Sequence, residues 1–320
     1  MVSSKASATK TVAITGSSGF IGSRLASTLA AMRKPSCRVL GIDLVAREPW
    51  PPIDITSENP LLAEYIRQAD EVYHLAGIED PKRCEEHTEE AAAQVKGTVN
   101  VLKLCLEYKK PVVIASSSAV YGPPTDAPLS ESSTPKPTNV YAHYKLSCEE
   151  AARSYASQGL KVAIARLFDV YGPGQEKAVT YNWAFVSAMV NRLAGGFNPQ
   201  NIPMPDIARD FIYIDDAVQA LMLIMNALVN SPNPHLIYNV GSGAAIRLKQ
   251  AFVTLSEVML TQGQIGGMPQ VVFTEPVIDM DRFFSNNSRI RELGWKQRTS
   301  FAGGLAKTAA SMIQVRIKRY

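Results

Sequence analysis

The chain has 320 residues, 46% of them apolar, with 33 basic against 29 acidic side chains and a formal charge of +4. That length houses one large or two modest cores, and no stretch gathers Lys and Arg into the stripe that tracks nucleic-acid phosphates, so a nucleic-acid partner is not implied. Four cysteines, Cys37, Cys84, Cys105 and Cys148, lie far apart without paired ligand spacing. Neither a disulfide framework nor a metal site is readable, and a reducing, cytosolic setting is expected.

In chain order, the segment MVSSKASATK lacks the apolar core of a signal peptide. Short runs rich in Val and Ile then alternate with helical patterns: TVAITG, RVLGID, EVYHLAG, PVVIASS and KVAIARLF, with helices expected near 20–33, 84–108 and 141–158. This is the sequence form of successive β-α-β units, and it predicts an α/β fold with a doubly wound parallel sheet. After Phe168 the pattern loosens into Pro- and Gly-rich stretches, VYGPGQ and AGGFNPQNIPMP, before strand-like FIYI and LIYNVG return. The most apolar run, AVQALMLIMNALV, is too short and interrupted to span a bilayer and reads as a buried helix.

TVAITGSSGFIGSRLASTLA reads as strand, glycine turn and helix, with Gly16, Gly19 and Gly22 three apart. Glycines so placed let the backbone turn tightly and approach a pyrophosphate, while the helix N-terminus offers free N–H groups to the anion. Asp43 ends the next strand, roughly 20 residues beyond the last glycine, where an acid accepts hydrogen bonds from adenosine ribose hydroxyls and repels a 2′-phosphate. NAD is therefore expected over NADP, with Arg47 nearby as the argument for the alternative. Asp54 in PIDIT reads equally as an adenine contact or a solvated loop acid. The predicted organisation is an NAD-binding Rossmann domain over 11–168 with returning segments about 211–243, and a smaller substrate-binding part from 169–210 and 244–320.

In NVYAHYKLSCEE, Tyr141 and Lys145 are four apart and share a helix face, whereas Tyr144 and His143 point elsewhere. A phenol becomes a usable acid or base when a neighbouring ammonium and a positive nicotinamide ring favour its anion. The third element is IASSSAVYG, where a strand gives way to Ser116, Ser117 and Ser118; ligands gather at the carboxyl ends of strands in such sheets. A serine there can hold a substrate hydroxyl and pass its proton to Tyr141.

GSSGFIG, HLAG, SSSAVYG, PLSESSTPKPTNVYAHYK, ARLFDVYGPGQ, ARDFIYIDDAVQAL, YNVGSG and RELGWKQ occur in this order between about residues 11 and 310. Together they resemble the extended short-chain dehydrogenases/reductases of the NAD-dependent sugar-nucleotide epimerase/dehydratase family. The resemblance implies that Tyr141 is the acid/base, that Lys145 holds the nicotinamide ribose and that Ser117 assists. It also places Phe20, Ile21, Ile55, Leu75, Ala76 and Gly77 at the cofactor, with Ser118 beside the substrate. A homodimer through the helices near 84–108 and 141–158 is implied as well.

Within that family the dehydratases resemble T-D-E-V-Y-G, and the decarboxylases also tend to carry Glu before V-Y-G. Here Ser118 and Ala119 occupy those places. Chemistry limited to hydride and proton transfer fits better, so a nucleotide-sugar 4-epimerase is expected, with a reductase or dehydratase as the alternative. A non-catalytic NAD(H)-binding sensor or scaffold is the reading from another class. Three departures bear on the substrate. Asp169 stands where the family has Asn near the diphosphate, and an acid there costs Coulomb energy. Arg209 matches the family's phosphate-binding arginine, but the second has no clear match beyond Arg282, and Gln94 replaces a common Asn. Tyr181 to Trp183 offer an aromatic wall or core packing.

Overall fold

The computed structural model describes residues 9–32, 36–125, 127–175, 184–195, 207–232, 236–269 and 282–317. Tyr181 to Trp183 lie outside them. The chain runs β1 (Lys10–Thr15), α1 (Phe20–Ala30), β2 (Cys37–Ile42), α2 (Pro60–Gln68), β3 (Glu71–His74), α3 (Pro81–Glu86), α4 (Thr88–Glu107), β4 (Val112–Ser117), α5 (Val140–Ser157) and β5 (Val162–Leu167). It continues through β6 (Asp169–Tyr171), α6 (Phe185–Ala194), β7 (Ala208–Arg209), β8 (Phe211–Tyr213), α7 (Ile214–Asn230), β9 (Ile237–Val240), β10 (Ile246–Arg247), α8 (Leu248–Thr261), β11 (Arg282–Phe283), α9 (Ser288–Glu292) and α10 (Phe301–Ile317).

The main sheet has the order β2-β1-β3-β4-β5-β9, and β2, β1, β3 and β4 pair in parallel. Its strands read as near-continuous Val/Ile runs because both faces are covered, the expected state of a parallel sheet. Ile14, Ile42, Val72, Val112 and Ile164 are buried. The order reverses between β1 and β3: the chain leaves β1 towards β2 and returns on β1's other side. At such a switch point the connections diverge, leaving a crevice at the carboxyl ends of the strands where ligands bind.

The expected helix near 84–108 is two helices. Asp80 caps α3 by accepting the Lys82 N–H at 2.9 Å, with Pro81 at the first helical position, and the chain breaks at His87 before α4 begins. Pro suits that first position because its missing N–H is not needed there.

Contacts divide the chain into two compact units. The first is Met1–Val120, Pro137–Arg166 and Leu221–Tyr238; the second is Tyr121–Lys136, Leu167–Ala220 and Asn239–Tyr320. Within the second, Asp210 is fully buried and accepts from the backbone N–H groups of Ser242, Gly243 and Ser285 and from both serine hydroxyls. Trp295 is buried and donates its indole N–H to the Asp216 carbonyl at 3.0 Å. Among the described residues no helix is long and apolar enough to cross a membrane.

Candidate active site

The glycine turn follows from β1's end. Gly16 has φ +72°, and a Cβ there would stand 2.7 Å from the Ala76 nitrogen. A Cβ on Gly22 would overlap the Gly16 carbonyl oxygen. Gly19 caps α1 without any side-chain hydrogen bond, and the helix's first turn holds no acid. Phe20 and Gly22 are buried and Ile21 is partly exposed. The result is a bare helix N-terminus beside closely approaching backbone, the geometry that receives a pyrophosphate.

Asp43 lies just past β2. Its carboxylate accepts the Ser18 N–H at 2.9 Å and the Val45 N–H at 3.0 Å. One bond to each oxygen leaves lone pairs for ribose hydroxyls. Arg47 is exposed in a small turn closed against Trp50. Asp54 is occupied locally, accepting both the N–H and the hydroxyl of Thr56 at 2.8 Å. Ile55 packs on the sheet's core cluster, with its side chain filling the space a Gly97 Cβ would take. Leu75 and Ala76 continue β3, and their N–H groups reach the Thr15 carbonyl and hydroxyl at 3.1 and 3.2 Å.

Helix α5 starts where Asn139 accepts the Ala142 N–H at 2.8 Å, the side-chain cap that competes well at a helix start. Tyr141 is therefore in the first turn, and the Lys145 ammonium stands 5.7 Å from its ring centroid. A Cβ on Gly77 would lie 3.2 Å from the same ammonium and 2.7 Å from Gln94 Oε1, which accepts the Ile78 N–H at 2.9 Å. Tyr144 turns away and donates to the Thr88 carbonyl at 3.4 Å. His143 is exposed.

The three serines separate by the alternation of strand faces. Ser116 is buried and donates to the buried Glu149 at 2.6 Å. Ser117, half-buried on the opposite face, accepts the Ala119 N–H at 3.1 Å. Ser118 opens a single 3-10 turn and is 7% exposed.

In the second unit, Asp169 pairs with Arg209 at 3.6 Å, each about a quarter exposed. Burial raises the Asp169 carboxyl above its usual range and Arg209 pulls it down. Arg282 is exposed and faces Ala208 in the β11–β7 register, while Phe283 faces Arg209. Paired residues share a sheet face, so the two arginines project to opposite sides.

Two groups had no role in the sequence reading. Glu79 reaches solvent, yet desolvation raises its carboxyl against the pull of the Lys145 ammonium. His74, 3% exposed, bonds Thr15 Oγ1 at 2.7 Å and Thr98 Oγ1 at 2.9 Å. Burial, helped by Lys145, lowers its pKa from 6.5 to about 3. HLAG, already a recognised segment, was the only signal for it. Between pH 6.5 and 3 the unfolded chain carries a proton here that the folded one does not, so stability is lost as pH falls through that window. Urea unfolding of the wild type should therefore lose about 2 kcal/mol more than His74→Gln between pH 7.5 and 5. Equal losses would mean that His74 charges in the folded protein.

A family model described as the NAD dependent epimerase/dehydratase family matches residues 12–241. The UDP-N-acetyl-alpha-D-glucosaminuronate decarboxylase of Bacillus cytotoxicus is 35% identical over 251 residues, covering 72% of this chain and 74% of its own. The UDP-glucose 4-epimerase of Azospirillum brasilense is 28% identical over 323 residues, covering 94% of this chain and 91% of its own. Among solved structures, MoeE5 in complex with UDP-glucose and NAD is 26% identical with a TM-score of 0.79, covering 95% of this chain and 99% of its own.

Proposed function

The chain belongs to the NAD-dependent epimerase/dehydratase family, and from that premise we propose that it is a nucleotide-sugar 4-epimerase that retains NAD. NAD, when bound, would supply the hydride acceptor, and then the donor, for an alcohol carbon. The bare N-terminus of α1 would hold the pyrophosphate, Asp43 would accept from the adenosine ribose, and Leu75 to Gly77 with Lys145 would complete the cofactor site. Phe20, Ile21 and Ile55 add apolar contact.

Tyr141 takes the proton from the substrate hydroxyl and later gives it back, and Ser117 orients that hydroxyl. Lys145 and the first turn of α5 keep positive potential at Tyr141 throughout, which suits a developing phenolate. Arg209 is assigned to the substrate's diphosphate, for which Asp169 competes. The observation that carries the epimerase reading is the pairing of Tyr141 and Lys145 beside a strand end where Ser118 and Ala119 leave no carboxylate. Such a site moves hydride and protons but has no acid at those positions to drive elimination.

One observation favours a second reading. Glu79 offers a carboxyl with a raised proton affinity near Lys145, and a general acid of that kind serves a lyase; the 35% identical relative is a decarboxylase. The test is to incubate the purified protein with UDP-glucose, UDP-N-acetylglucosamine and UDP-glucuronic acid and to follow products by NMR and mass spectrometry. Inversion at C4 with unchanged mass is expected. Loss of water or carbon dioxide would replace the epimerase with a lyase, and accumulating NADH would replace it with a net dehydrogenase. We also assign the active form to a homodimer through α4 and α5.

A further inference from the structure

We propose that His74 is a positioning residue: as the neutral Nε2–H tautomer it joins the glycine turn to the Lys145 helix through one directional chain of hydrogen bonds. The inference rests on the reading that both ends of the chain hold the cofactor.

The direction follows from proton counting. A threonine hydroxyl has one proton, and Thr98 Oγ1 donates its own to Cys148 Sγ at 3.3 Å. Towards His74 it then accepts, so Nε2 carries the proton in the 2.9 Å contact; the opposite tautomer would make Thr15 Oγ1 accept from both the Ala76 N–H and His74 and leave its own proton unused. Nδ1 is then an acceptor and receives the Thr15 hydroxyl at 2.7 Å. That leaves the Thr15 oxygen free to accept the Ala76 N–H at 3.2 Å. Ala76 N–H, Thr15, His74 and Thr98 thus donate in a single sense, with Cys148 Sγ as the terminal acceptor. An imidazolium would force Thr15 to accept twice and strand its hydroxyl proton in a buried place, a costly arrangement. The site's desolvation and the nearby ammonium disfavour that cation as well.

Both ends of the chain reach the cofactor elements. Thr15 precedes Gly16, whose backbone lies against Ala76 so closely that a Cβ would clash. Cys148 is three residues past Lys145 and shares its side of α5, and a Cβ on Gly77, next to Ala76, would touch the Lys145 ammonium. His74, itself buried, therefore sets the glycine turn, the end of β3 and α5 against one another. A histidine that merely filled space would have no preferred tautomer and would not couple the two threonines.

The test uses the full chain labelled with 15N-histidine, with the His74 signals assigned by their loss in His74→Gln. One Nε2–H tautomer, unchanged across neutral pH, is expected; an Nδ1–H tautomer or an exchanging mixture would overturn the proposal. Thr15→Val and Thr98→Val should each raise the Kd for NAD about five- to tenfold, and the double variant should do no worse than the weaker-binding single. Multiplying effects would show two independent contacts and sink the coupling. If the valine variants do not fold, the tautomer decides. Absence of NAD binding by the wild type would instead refute the cofactor reading, and the tautomer would still judge His74.

Discussion

Tyr141→Phe should lower turnover by about 10²- to 10⁴-fold, the usual contribution of a positioned acid/base, while the Kd for NAD changes less than twofold. The substitution removes one hydroxyl and keeps the ring that Lys145 faces at 5.7 Å. The first turn of α5 is capped by Asn139 rather than by the tyrosine, so the helix has no reason to unwind. Turnover and retained NAD measured on one preparation separate the outcomes. Turnover within threefold of wild type would remove Tyr141 from the chemistry. A parallel collapse of NAD retention would make it a binding residue instead. Tyr144→Phe is the internal control, since that hydroxyl reaches only the Thr88 carbonyl among its described contacts, and its turnover should stay within twofold.

Glu149→Ala should cost about 3–5 kcal/mol of stability, a large share of the 5–15 kcal/mol that holds a typical domain. Glu149 is fully buried and Arg166 is 1% exposed. Their side chains meet through two bonds of 2.8 and 2.7 Å, while Ser116 donates to the same carboxylate at 2.6 Å. Arg153 adds a partly exposed contact at 3.2 Å. Removing the acid strands a buried guanidinium, and the loss comes mainly from that uncompensated charge rather than from the pair's net worth. Replacing both partners, Glu149→Leu with Arg166→Met, should therefore recover most of the loss. Urea unfolding followed by circular dichroism reads both variants. A single-variant loss under about 1 kcal/mol would mean that water reaches Arg166 once the acid is gone. The pair also bears on activity: Glu149 is four residues past Lys145, and Ser116 precedes Ser117, so the same carboxylate clamps the end of β4 to α5.

The sequence by itself determined the parallel sheet, the glycine turn and the start of α5. Those signals are local. Alternating Val/Ile runs, glycines three apart and a Tyr-Lys pair four apart on a capped helix depend on neighbours within a turn or a strand, and the distinction between Tyr141 and Tyr144 followed from helix geometry alone. It did not separate α3 from α4, because the junction over 85–90, EEHTEE, is polar throughout and reads as an exposed stretch of helix, while the break is made by one residue's backbone at His87. Helix α2 is not among the expected elements: PLLAEYIRQ has 9 residues, too short a window for its apolar positions to establish a helical period.

Only the tertiary structure decided which polar groups meet. Ser116 and Ser117 are adjacent and alike in sequence, yet one serves a buried carboxylate and the other faces outward, because the strand's pleat sends them apart. Asp169 and Arg209 are forty residues apart and become a pair through the β6–β8 register. His74 acquires its single tautomer from Thr15 and Thr98, which come from different elements. Periodicity records how apolar side chains repeat along one element, but a buried proton is placed by donors and acceptors brought together from several, and no local pattern encodes that meeting.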